Sequence, residues 1–93
     1  MQIIYSPKSI KDIENIQDYL EGRFGSRIAD EIMELRKDIK ILEENPYFGR
    51  QVMHGVRKFN SGLSIIIYEI KNQRIEILHV VDGRSDYANT LFT

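Results

Sequence analysis

The sequence predicts an α+β domain of order β-α-α-β-β-β, an N-terminal helical hairpin packed on a small antiparallel sheet. Three observations carry that expectation. Apolar residues recur at helical spacing through the first 44 residues, isoleucine-dense runs of strand length fill residues 55–81, and Asn45-Pro46 divides the two regimes. Ninety-three residues, 42% apolar and 29% charged, suffice for one soluble domain, residues 1–93, and not for two. The absence of cysteine excludes a disulfide scaffold, a thiolate metal site and a thiol nucleophile together.

Each element has its own cue. Ile3, Ile4 and Tyr5 suit a short strand, which Ser6-Pro7 ends. Ser6 is placed to cap a helix whose first position is Pro7, with Asp12 and Glu14 near the positive end of the dipole and Ile10, Ile13, Ile16 and Leu20 on one face. Gly22 and Gly25 are expected to end it at about Tyr19 or Leu20, and Ser26 is the next cap. Ile28, Ile32, Leu35, Ile39 and Leu42 then alternate spacings of four and three, the strongest periodic signal in the chain. Asn45-Pro46 stops this second helix, since proline disfavours α geometry in the residue before it. Strands are expected at Gly55–Asn60, Ser64–Ile70 and Arg74–Val81, with turns at Ser61-Gly62 and Asn72-Gln73. Ile65, Ile66 and Ile67 in succession mark the middle strand as covered on both faces. Residues Asp86 to Phe92 read as a short terminal helix or a tail.

Charge is unevenly divided. Residues 1–44 sum to -3 and residues 45–93 to +2, recovering the net -1 of the chain. Between Asn45 and Tyr68 the only charges are Arg50, Arg57 and Lys58. Arg57 and Lys58 are strand neighbours and therefore point to opposite faces, so Arg50, one of that pair, and Arg84 can share one end of a concave surface able to grip phosphates or carboxylates. The plainer reading of the same residues is a solvated edge with Arg84 paired to Asp82 or Asp86.

Other chemistry has little support. His79 is in phase with Ile75, Ile77 and Val81, which predicts a core or partly buried histidine. His54 falls in a loop, with no neighbour in sequence to orient its ring. Neither has a companion at metal-ligand spacing, so no metal and no cofactor are expected. No serine has the strand-turn-helix setting of an activated nucleophile, and Gly22 and Gly25 follow a helix rather than a strand, the wrong context for dinucleotide binding. No stretch approaches the roughly 20 apolar residues of a membrane helix, and the first residues lack the features of a signal peptide, so a cytoplasmic location is expected.

Taken in order, Tyr5-Ser6-Pro7, Asp12-Ile13, Ile16-x-Asp18-Tyr19, Leu42-x-x-Asn45-Pro46-x-x-Gly49, Gly55-Val56-Arg57-x-Phe59, Ile66-Ile67-Tyr68 and Ile77-Leu78-His79-Val80-Val81-Asp82-Gly83-Arg84-x-Asp86-Tyr87 resemble the RelE/ParE superfamily of bacterial toxins. The resemblance spans nearly the whole chain through motifs that are each short. It implies the toxin half of a type II toxin–antitoxin pair, held inactive by a cognate antitoxin whose flexible amphipathic segment lies on the second helix or between helices and sheet. It also implies a homodimer or a toxin–antitoxin hetero-oligomer. RelE-like members cleave messenger RNA on the ribosome with basic side chains and a C-terminal aromatic or histidine, whereas ParE-like members poison DNA gyrase. Under the first reading Arg84 and Lys58 stabilise charge and Tyr87 or His54 handles the proton. Under the second, Arg50, Arg57, Lys58, Arg84 and Tyr87 bind the target or the antitoxin.

The two branches differ at named positions. Three residues before Tyr68, where the RNA-cleaving relatives resemble one another in having arginine, this chain has Ile65, and their C-terminal tyrosine would fall near Thr90. Arg57, two residues before Phe59, and Gly83-Arg84-x-Asp86-Tyr87 look like the ParE pattern. The resemblance therefore favours gyrase, with a ribosome-dependent endoribonuclease, or a degenerate module that only binds an antitoxin, as alternatives.

Overall fold

The structure, a computed structural model, describes residues 1–24, 28–62 and 64–82, with the backbone course alone for 19–24, 28–31 and 82. Its elements are β1 (Gln2–Tyr5), α1 (Pro7–Phe24), α2 (Ile28–Glu44), β2 (Arg50–Met53), β3 (Val56–Ser61), β4 (Ser64–Lys71) and β5 (Arg74–Asp82). The α+β class and the helical hairpin stand as expected. Helix α1 runs through Gly22 to Phe24, and the connection holding Gly25 and Ser26, like the segment after Asp82, lies outside the described residues.

The sheet has five strands in the order β1-β5-β4-β3-β2. Strands β2 to β5 form an antiparallel meander, and β1 joins its far edge parallel to β5, with Ile3 beside Ile75 and Tyr5 beside Ile77. The sheet is thus mixed, with one strand more than the sequence suggested. Strand β2 escaped notice because Arg50-Gln51-Val52-Met53 lacks a β-branched run and its ladder with β3 is broken by a bulge between Gln51 and Met53. The turn at Asn72-Gln73 is of the expected kind, both residues having positive φ (53° and 60°), the geometry whose twist matches a tight hairpin.

One face of the sheet carries the helices. Leu35, Ile39 and Leu42 of α2 close on Ile66, Tyr68, Ile75, Ile77 and Val80, with Ile13 and Ile16 of α1 against the same cluster. The reverse face holds a second cluster of Val56, Ile65 and Ile67, flanked by Val52, Leu78 and Val81. The three consecutive isoleucines of β4 are buried on alternate faces, as their succession implies. A register shift between Ile67 and Tyr68 inserts Leu78 into β5, so that Val80 rather than His79 continues the helix-facing row begun by Ile75 and Ile77. His79 is partly buried, as expected, but opposite Ile67 and out of phase with that row.

Where β1 stops, the start of α1 takes over the edge of β5. The Ser6 amide donates to the Ile77 carbonyl at 3.0 Å, and the Ser6 hydroxyl donates to the Leu78 carbonyl at 2.9 Å while accepting the Ser9 amide at 3.0 Å. Ser6 is therefore both helix cap and sheet clasp. Asp12 stands in the second turn and serves the sheet instead of the dipole. It is buried, and its Oδ2 accepts the Val80 amide at 3.0 Å while Oδ1 pairs with Lys8 Nζ at 3.0 Å. The His79 Nδ1, buried without a hydrogen bond, lies 3.7 Å from Oδ2.

Candidate functional site

Of the candidates, Arg50, His54, Arg57 and Lys58 are described, and they lie on or between β2 and β3. Asn45 follows the last residue of α2, and its amide and side-chain nitrogen both donate to the Ile41 carbonyl, at 3.1 and 3.2 Å. The loop from Pro46 to Gly49 then folds back over the sheet, and the buried hydroxyl of Tyr68 fixes it by donating to the Pro46 carbonyl at 2.7 Å and accepting the Gly49 amide at 2.8 Å. Burial holds this hydroxyl protonated above its ordinary range, with the Gly49 bond and the Arg57 charge working against the shift.

Arg57 stands directly opposite Tyr68 and completes the loop. Its Nη1 donates to the Gly49 carbonyl at 2.7 Å, and its guanidinium lies 5.0 Å from the centre of the Tyr47 ring. The loop is thus held from two sides. What it displays outward is aromatic: Tyr47 is 66% and Phe48 63% exposed, the latter in tilted contact with Phe59 at 6.4 Å between centroids.

Among the candidate cations, Arg50 and Lys58 face each other across the β2–β3 ladder, so they share a face that Arg57 does not. The expected division of Arg57 and Lys58 between faces is what the register gives. Arg50 is exposed, and its side chain makes no hydrogen bond or ion pair among the described residues. His54 lies exposed in the turn between β2 and β3. Arg84, Tyr87 and Thr90 lie outside the described residues, as does the side chain of Asp82. Ile65 is 6% exposed on the reverse face among Val56 and Ile67, an apolar position where a charged donor has no counterpart.

At the opposite edge of the sheet a groove of about 560 Å³ is lined by Ile3, Tyr5, Ile10 and Ile39 and, from α2, by the cations Arg36 and Lys40 and the acid Glu43. Desolvation raises the Tyr5 hydroxyl above its ordinary value, Arg36 opposing the shift and Glu43 adding to it. A groove between helices and sheet is one of the two antitoxin seats that the resemblance implies, but Ile10 reads as core by spacing and is instead exposed along it. The sequence did not single out Tyr47 and Phe48, the two unassigned positions of Asn45-Pro46-x-x-Gly49.

The fold is a helical hairpin on a sheet closed by a parallel β1, with basic residues on the β2–β3 hairpin. The family model described as the ParE toxin of the type II toxin–antitoxin system parDE matches residues 3–87, and the chain belongs to that family. Among solved structures, a chain from the chromosomal ParDE TA system of P. aeruginosa superposes with a TM-score of 0.79 at 20% identity, covering 88% of this chain and 95% of that one. That likeness is one of fold. No curated protein matches the sequence. No helix among the described residues is long and apolar enough to cross a membrane.

Proposed function

We propose that this ParE-family toxin acts on DNA gyrase in the cytoplasm and is silenced by a cognate antitoxin. The observation that carries the choice of target is Ile65. Cleavage of RNA by attack of a 2′-hydroxyl needs cations around the developing phosphorane charge, and loss of one such donor costs about 2.7 to 4 kcal/mol of barrier. Where the RNA-cleaving relatives have arginine, this chain has an isoleucine in a closed apolar cluster. Arg57, Lys58 and Arg84, with Tyr87, are on this reading the groups that grip a protein target.

The groove beside β1 is the proposed seat of the antitoxin. An amphipathic segment would lay apolar side chains on Ile3, Tyr5 and Ile10 and bring carboxylates to Arg36 and Lys40. Of the two seats that the resemblance implies, this is the groove between helices and sheet; the apolar face of α2 is the poorer one, because Leu35, Ile39 and Leu42 are already committed to the core.

The test is supercoiling of relaxed plasmid by purified gyrase with the folded protein added. Inhibition relieved by the antitoxin supports the reading. No inhibition at micromolar excess removes gyrase as the target, and codon-phased cleavage in a translation extract would move the protein to the ribonuclease branch.

A further inference from the structure

Two large aromatic side chains stand outward from a loop that the fold holds with unusual care. Tyr68 fixes both ends of the Pro46–Gly49 segment, and Gly49 is so close to Tyr68 that a β-carbon there would lie 2.6 Å from the Tyr68 ring and 2.8 Å from the Lys58 carbonyl. Arg57 braces the same loop through the Gly49 carbonyl and the Tyr47 ring. Exposed rings on an already ordered backbone lose little freedom when something closes over them, the condition under which aromatic and arginine side chains dominate binding.

Charge narrows the occupant. From Arg50 to Ser61 the β2–β3 hairpin carries three cations, Arg50, Arg57 and Lys58, and no anion. Arg57 has five N–H donors, one of them given to Gly49, and no carboxylate partner among the described residues. A polynucleotide is the poorer fit. The chain is net negative, one face of Tyr47 is covered by the guanidinium, and Phe48 leans on Phe59, which limits the ring faces open to base stacking.

We propose that the Tyr47–Phe48 corner is a docking surface for an acidic protein segment carrying an apolar anchor, the anchor seated on Tyr47 and Phe48 and a flanking carboxylate on Arg57. The surface lies at the β2 edge, opposite the groove beside β1, and stands whether or not gyrase is the target.

The experiment is an NMR titration of the full chain with a synthetic peptide holding a Leu-Phe pair between runs of Asp and Glu. The same peptide with every acid replaced by Lys, and oligothymidylate, serve as comparison probes. The acidic peptide is expected to shift Tyr47, Phe48, Phe59 and Arg57 resonances to saturation, with binding weakened about tenfold or more by Phe48→Ala. Met33→Ala, at an equally exposed residue of α2, should leave it unchanged. The proposal is overturned by absence of binding at millimolar peptide, by shifts centred on the β1 groove, or by an unchanged affinity in Phe48→Ala. Equal binding of the Lys peptide, or tighter binding of oligothymidylate at this corner, overturns it too.

Discussion

Tyr68 and Gly49, nineteen residues apart, share a buried hydrogen bond of 2.8 Å in which the glycine amide donates to the phenolic oxygen. Because that oxygen also donates to the Pro46 carbonyl, one hydroxyl satisfies both ends of the loop carrying the exposed aromatics. Tyr68→Phe keeps the ring in the core and removes only the hydroxyl, leaving a buried amide unpaired. A loss of about 1–3 kcal/mol in denaturant unfolding is expected. An unchanged midpoint would show that water replaces the hydroxyl.

Gly49→Ala tests the same contact from the other side. The added methyl meets the Tyr68 ring and the Lys58 backbone, neither of which is a flexible chain end. The variant is expected to lose about 1–3 kcal/mol, and Tyr68→Phe should not rescue it, because the ring remains. Rescue in the double variant would place the clash on the hydroxyl alone.

Asp12 and Lys8 form an ion pair whose two members differ in value. Lys8 is 59% exposed, so Lys8→Ala should cost about 0.5 kcal/mol or less. Asp12→Ala strands the Val80 amide and should cost about 1–3 kcal/mol, most of it recovered in Asp12→Asn, which keeps an acceptor. Equal costs for Lys8→Ala and Asp12→Ala would contradict this ordering.

Alkaline pH should unfold the protein earlier than its charge alone implies. Tyr68 and Tyr5 keep their protons to higher pH in the folded chain than the ordinary value of 10.0, so the folded state holds the extra protons. Their contribution is complete below about pH 10 and disappears as pH rises through the folded values. Denaturation midpoints followed through this range should fall, while tyrosinate absorbance of the native protein lags that of the unfolded chain. Coincident titration curves would defeat the prediction.

Arg57 separates support from contact. Arg57→Lys keeps the charge but loses the planar stack on Tyr47, and Arg57→Ala loses both. If gyrase is gripped here, the concentration for half inhibition should rise about tenfold or more in Arg57→Ala, with Arg57→Lys between it and the parent. Parent-like inhibition by Arg57→Ala would remove Arg57 from the contact.

The sequence made the helices legible through Ile32, Leu35, Ile39 and Leu42, whose spacing has one structural solution, and through Ser6 and Asn45, whose cap chemistry is local. It made strands β3 to β5 legible by β-branched runs between turns. Pairing of β1 with β5 was not, because Ile3-Ile4-Tyr5 fits either sheet edge equally well. The phase of His79 differs from the alternation in its own strand because a bulge depends on the partner strand and leaves no mark in a single strand's pattern. At the site, the opposed directions of Arg57 and Lys58 follow from strand geometry alone. The exposure of Tyr47, Phe48 and Ile10 depends on which surface the rest of the chain leaves uncovered.

The parallel seam between β1 and β5 also bears on how the chain is born. The first strand emerges from the ribosome 72 residues ahead of its partner, and the Ser6 and Asp12 bonds that dock α1 wait for Leu78 and Val80. Such distant closure makes folding late and all-or-none. A nascent chain interrupted before β5 has neither edge nor dock for its N-terminal third, so an abandoned translation product should carry no partial toxicity.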